Sequence, residues 1–116
     1  MTATAGWTRD GTQTSRDEIG HPEVVSALDD LMAEHMAAPF PESVEKGLDY
    51  GEVDAVMIGA DIYGWALRAK SGSLSALDRD RLQLARDELI RSLDAFPEEA
   101  RSYYEQLVCL ATEALR

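Results

Sequence analysis

Apolar residues recur at three- and four-residue intervals along several stretches of the chain, and this rhythm predicts amphipathic helices. In "HPEVVSALDDLMAEHMAA" the stripe is Val24, Val25, Leu28, Leu31, Met32 and Met36. Pro22 stands at a first helical position, and Pro39 and Pro41 cannot continue the ladder, so a first helix is expected near 22–38. The connection "PFPESVEKGLDYG" is expected to be irregular, with one short helical turn around Val44. "SGSLSALDRDRLQLARDELIRSLDAF" opens on serines suited to capping and places Leu82, Ala85, Leu89, Leu93 and Phe96 on one face. It predicts a helix near 75–96 with Asp87 and Arg91 paired at i,i+4 outside. Pro97, Glu98 and Glu99 open another near 97–115, with the stripe Ala100, Tyr103, Tyr104, Leu107, Val108, Ala111 and Leu115.

The stretch "GEVDAVMIGADIYGWALRAKSG" is harder, because two glycines interrupt an apolar run. On a helical wheel Asp54, Asp61 and Arg68 fall at spacings of seven in one narrow sector, which predicts a helix near 51–70. Ala55, Gly59 and Ala66 then form a strip of small side chains that lets another helix approach. Neither G-x-G-x-x-G nor G-x-x-x-x-G-K-[ST] occurs, since Gly59 and Gly64 are followed by Trp65 and Ala66. A helix apolar nearly all round is expected at the centre of an assembly.

Four helices in 116 residues imply an all-α fold, a compact four-helix bundle at 21–116. Residues 1–20, rich in Thr, Gly, Ser and charge, are expected to form a flexible polar tail in which Trp7 is the one large aromatic. No apolar run suggests a membrane span and the N-terminus has no signal-peptide pattern, so the expected location is cytoplasmic. Arginine outnumbers lysine nine to two, a composition that suits a high-GC bacterial genome. Cys109 is the single cysteine, which excludes an internal disulfide and a cysteine-based zinc cluster.

Charge narrows the function classes. The chain carries 22 acids and 11 bases, a net −11, which disfavours nucleic acid and anionic membranes as partners. Residues 1–61 hold 13 acids against three bases, so the excess sits in the N-terminal half. The preferred expectation is a non-enzymatic intracellular protein-binding module, of the inhibitor, immunity-factor or accessory-subunit type. It would dock a basic partner through Glu42, Glu45, Asp49 and Glu52, with no cofactor.

The alternative is a small helical enzyme holding a divalent metal on Asp30, Glu34, Asp54 and Asp61. The Glu42-x-x-Glu45 pair resembles that of all-helical nucleotide pyrophosphatases, which implies magnesium held by carboxylates on two helices. The chain departs from that pattern in having no matching Glu-x-x-Asp pair. His35 lacks the Glu-x-x-His spacing of di-iron bundles, because Met32 stands three before it. Finally, Leu84 falls on a charged side of its helix, and Cys109 and Leu110 fall off the core stripe of theirs. With the apolar second helix they predict a homodimer whose interface includes Trp65, Ile58, Leu84 and Leu110.

Overall fold

A computed structural model describes residues 22–116, with side chains from Ala27 onward. The expected tail at 1–20, with Trp7, and the side chains of Val24 and Val25 lie outside the described residues. The chain is an all-α bundle of four helices: α1 (Pro22–Ala37), α2 (Met57–Lys70), α3 (Ala76–Ser92) and α4 (Arg101–Ala114). A two-stranded antiparallel hairpin, β1 (Asp49–Tyr50) and β2 (Val53–Asp54), precedes α2. Among the described residues no helix is long and apolar enough to cross a membrane.

The hairpin corrects the expected start of the second helix, which begins at Met57 and not at residue 51. The reasons are local. Gly51 has φ +63°, the left-handed region that two-residue hairpin turns require at their first central position. A Cβ there would also lie 2.6 Å from the Ser92 hydroxyl oxygen, so no other residue fits without displacing the end of α3. Ser92 uses that proximity: its hydroxyl donates to the Glu88 carbonyl at 2.7 Å and accepts from the Glu52 N–H at 2.8 Å. Asp54 then starts the helix, its Oδ1 accepting from the N–H groups of Val56 at 2.9 Å and Met57 at 2.8 Å. These are donors that a helix leaves unpaired at its first turn. Asp54 therefore fixes the turn that leads into the helix and is not part of its charged sector.

Residues 71–75 turn the chain between α2 and α3. Gly72, at φ +77°, lets its own N–H reach the Ala69 carbonyl and lets Ser73 N–H reach the Arg68 carbonyl at 2.8 Å, the Schellman termination. Ser75 caps α3 by accepting from Asp78 N–H at 3.1 Å, as the serine cluster predicts. Two short 3-10 turns, Leu93–Ala95 and Glu98–Ala100, carry the chain around Pro97 into α4. The connection 39–48 consists of turns that insert Val44 into the core, and one of them, closed by the Val44 N–H donating to the Pro41 carbonyl at 3.3 Å, stands where a single helical turn is expected.

The core gives α4 a place beside α2 that the sequence does not suggest. Both α4 and α2 pack against each of the other three helices, and α4 fully buries Tyr104, Leu107, Leu110 and Ala111. Leu110 thus belongs to the core, correcting its expected place off the stripe. The expected central member, α2, buries Ile58, Gly59, Ile62 and Ala66 among those three neighbours and leaves Met57 and Leu67 exposed, so it is not covered all round. The small strip does allow close approach, since Gly59 faces Leu107 of α4 and His35 of α1. Met36, expected in the apolar stripe of α1, points to solvent, while Leu84 and Cys109 are exposed as expected. Arg91 does not pair with Asp87. It reaches Glu52 of the hairpin in a bidentate ion pair at 2.8 and 2.9 Å, and Asp87 contacts Arg86.

Rings connect these parts. Tyr50 stacks on Phe96 at 4.8 Å between centroids, Phe96 on Tyr104 at 3.9 Å, and Tyr103 meets Tyr104 edge-on at 5.0 Å. The buried Tyr104 hydroxyl donates to the Ala55 carbonyl at 2.8 Å, tying α4 to the segment before α2. Burial raises its pKa, so the hydroxyl keeps its proton and remains a donor.

Candidate functional site

An open groove of about 790 Å³ lies between the C-terminal end of α1, the 38–42 connection and the first turns of α4. Pro39 and Pro41 hold the connection away from helix and present Phe40 toward α4. Phe40 meets Tyr103 edge-on at 5.7 Å, and with Leu31 these rings make an apolar floor. Burial raises the Tyr103 pKa, so its hydroxyl stays protonated. Glu34 accepts from the Gln106 side chain at 2.9 Å, fixing α1 against α4 along one edge.

Around that floor stand four carboxylates, Glu34, Glu42, Glu99 and Glu105, and no lysine or arginine lines the groove among the described residues. Lys46 lies nearby, its ammonium 5.3 Å from the centre of the Phe40 ring. The chemistry on offer is an aromatic and aliphatic surface that gains by excluding water, surrounded by negative charge that favours cations.

Behind the floor, His35 of α1 lies between Tyr63 and Tyr103 at 5.7 and 5.5 Å between centroids. Its Nδ1 is buried without a hydrogen-bond partner among the described residues, and desolvation lowers its pKa. His35 is thus a packing residue at the junction of α1, α2 and α4, as its position on the edge of the α1 stripe suggests.

The sequence-derived candidates are divided by the fold. Of the expected partner-binding set, Glu42 lines the groove. Glu45 and Asp49 are exposed outside it, with Asp49 directly across the hairpin from Asp54. Glu52 is held by Arg91, whose hydrogen bond lowers the carboxylate's pKa. The alternative metal set is not brought together: Glu34 belongs to the groove, Asp30 is exposed on α1, and Asp54 and Asp61 line a different depression. No group of three or more His, Cys, Asp or Glu side chains that could hold a metal ion occurs among the described residues. Glu42 and Glu45, the Glu-x-x-Glu pair, sit in the turns of the connection and not on a helix.

Of the expected interface residues, Ile58, Trp65 and Leu84 line one depression between α2 and α3, with Ile58 buried at its base. Leu110 is fully buried within its own chain and has no surface to offer.

Sequence reasoning missed Glu99, Glu105, Phe40 and Tyr103 as parts of one site. Its only available signal was the pair of prolines flanking Phe40, which isolates a large ring in a segment that cannot be helix. Compared with known proteins, the chain matches no family model, no curated protein and no solved structure.

Proposed function

We propose that this chain is a non-enzymatic protein-binding module, and that its groove between α1 and α4 receives a basic, amphipathic segment of a partner protein. The observation that supports this reading is the make-up of the groove: an apolar floor of Leu31, Phe40 and Tyr103 with Glu34, Glu42, Glu99 and Glu105 around it. An amphipathic helix laid in such a groove would bury one or two bulky apolar anchors and set Lys or Arg residues against the carboxylates. The acidic surface that docks the partner is then assembled from both halves of the chain, with Glu99 and Glu105 contributed by the C-terminal half. Net charge of −11 would further speed the approach of a basic partner at low salt.

Selection from a displayed library of random helical peptides tests the proposal. Enriched ligands should carry Lys or Arg flanking a bulky apolar residue, and their affinity should fall as salt is raised. The double variant Glu99→Lys, Glu105→Lys should weaken them by about tenfold or more, with thermal unfolding unchanged, because both side chains are exposed. Enrichment of acidic or neutral peptides, or of basic ones indifferent to the double variant, would overturn the assignment.

A further inference from the structure

A second depression, of about 300 Å³, lies between α2 and α3, away from the groove. Met57 and Leu84 beside it are 54% and 56% exposed, and Trp65 is half-buried between them and the core. The two helices run antiparallel, since Arg68 pairs with Asp78 next to the connecting turn and Arg91 pairs with Glu52 at the far end.

Charge on this face is sorted by end. The far end carries Glu52, Asp54, Asp61 and Glu88, with Arg91 engaged by Glu52. The turn end carries Arg68 and Arg81, both beside Asp78 at 2.8 and 3.7 Å. On α3, Arg81 and Glu88 are separated by seven residues and share one face, with Leu84 between them. On α2, Asp61 and Arg68 repeat that spacing in the opposite order, with Gly64 between them and open space where a Cβ would stand.

A base and an acid placed on either side of an apolar centre are self-complementary under a two-fold rotation. We propose that a second copy of this chain docks on the α2/α3 face about a two-fold axis passing between Gly64 and Leu84. Arg81 of each copy then meets Glu88 of the other, Arg68 meets Asp61, and Met57, Trp65 and Leu84 are covered together. The interface is isologous and closes on itself, so assembly stops at two. Gly64, with no side chain, lets the two α2 helices approach at the axis.

Sedimentation equilibrium of charge-swapped variants tests this. The single changes Arg81→Glu and Glu88→Arg each set like charges against each other twice across the axis, and each should raise the dimer dissociation constant by about tenfold or more. Mixed in equal amounts, these two variants should form a heterodimer, because one now presents acid at both positions and the other base. The double variant with both changes in one chain should dimerise as the unaltered protein does, which also shows that the substitutions are compatible with folding. A monomer at all micromolar concentrations for the unaltered chain would overturn the proposal. So would dimers that persist in both single variants, or a mixture that stays monomeric.

Discussion

His35 is held in the fold as a neutral ring. Between Tyr63 and Tyr103, with Nδ1 buried, it has no acceptor among the described residues for the second N–H that protonation would create. Desolvation therefore lowers its pKa below the usual 6.5. In the unfolded chain the imidazole has its ordinary affinity for protons. Well above pH 6.5 it is neutral in both states, and its protonation contributes no pH dependence to stability. As pH falls below that value the unfolded state takes up the proton first, so stability declines until the folded pKa is reached and is level below it. The variant His35→Phe keeps a ring between the tyrosines and removes the titration. In urea unfolding at a series of pH values it should lose less stability than the unaltered protein as pH falls through and below 6.5. Equal losses in the two proteins would show that His35 takes its proton in the folded state as easily as in the unfolded one.

At the scale of elements, Gly59 shows how a helix contact can be close without being full. A Cβ added there would meet Leu107 Cδ1 at 3.6 Å and His35 Cε1 at 3.9 Å, both ordinary packing distances. Gly59→Ala should therefore be neutral or stabilising by up to about 1 kcal/mol, through helix propensity. Gly59→Leu forces a whole isobutyl group between α2 and α4 and should cost about 1–3 kcal/mol. Thermal melts of the pair check the contact, and stabilisation by Leu would mean that α2 and α4 are not packed at this point. The helices themselves were legible because their periodicity is local: each stripe of α3 and α4 can be counted in consecutive residues. The hairpin was not, because its strands are two residues long and Asp54, Asp61 and Arg68 align on a wheel although Asp54 lies outside the helix. Leu110 was misplaced for a related reason. A helix surrounded by three others buries a wider arc than one stripe, and periodicity alone does not show how many neighbours a helix has.

At the scale of the molecule, the two candidate surfaces lie on different helix pairs, one between α1 and α4 and the other between α2 and α3. The groove is built from segments more than fifty residues apart, Leu31–Glu42 and Glu99–Cys109, and no local pattern in either segment marks the pairing. Only the fold turns the acid excess, which the sequence locates in the N-terminal half, into a groove that also uses glutamates near the C-terminus. The α2/α3 face was partly legible, since Trp65, Ile58 and Leu84 were expected to share an interface and do share a depression. What composition could not supply was the order of Arg81 and Glu88 against Asp61 and Arg68, which acquires its symmetry once the two helices are antiparallel.

The position of Cys109 gives the groove a built-in reporter. It is the chain's only thiol, it is exposed, and it lies at the edge of the groove beside Glu105 and Gln106. A maleimide dye should therefore attach at a single place without any engineered cysteine. Anything seated in the groove should shield that sulfur, and the alkylation rate should fall in proportion to the fraction of groove filled. Measured while a selected basic peptide is titrated in, the rate should trace the same saturation curve as direct binding. A rate indifferent to saturating peptide would place the peptide on another surface. Because the α2/α3 depression has no thiol in its lining, the same labelling would leave self-association unmarked, and occupancy of the groove could be followed in monomer and dimer alike.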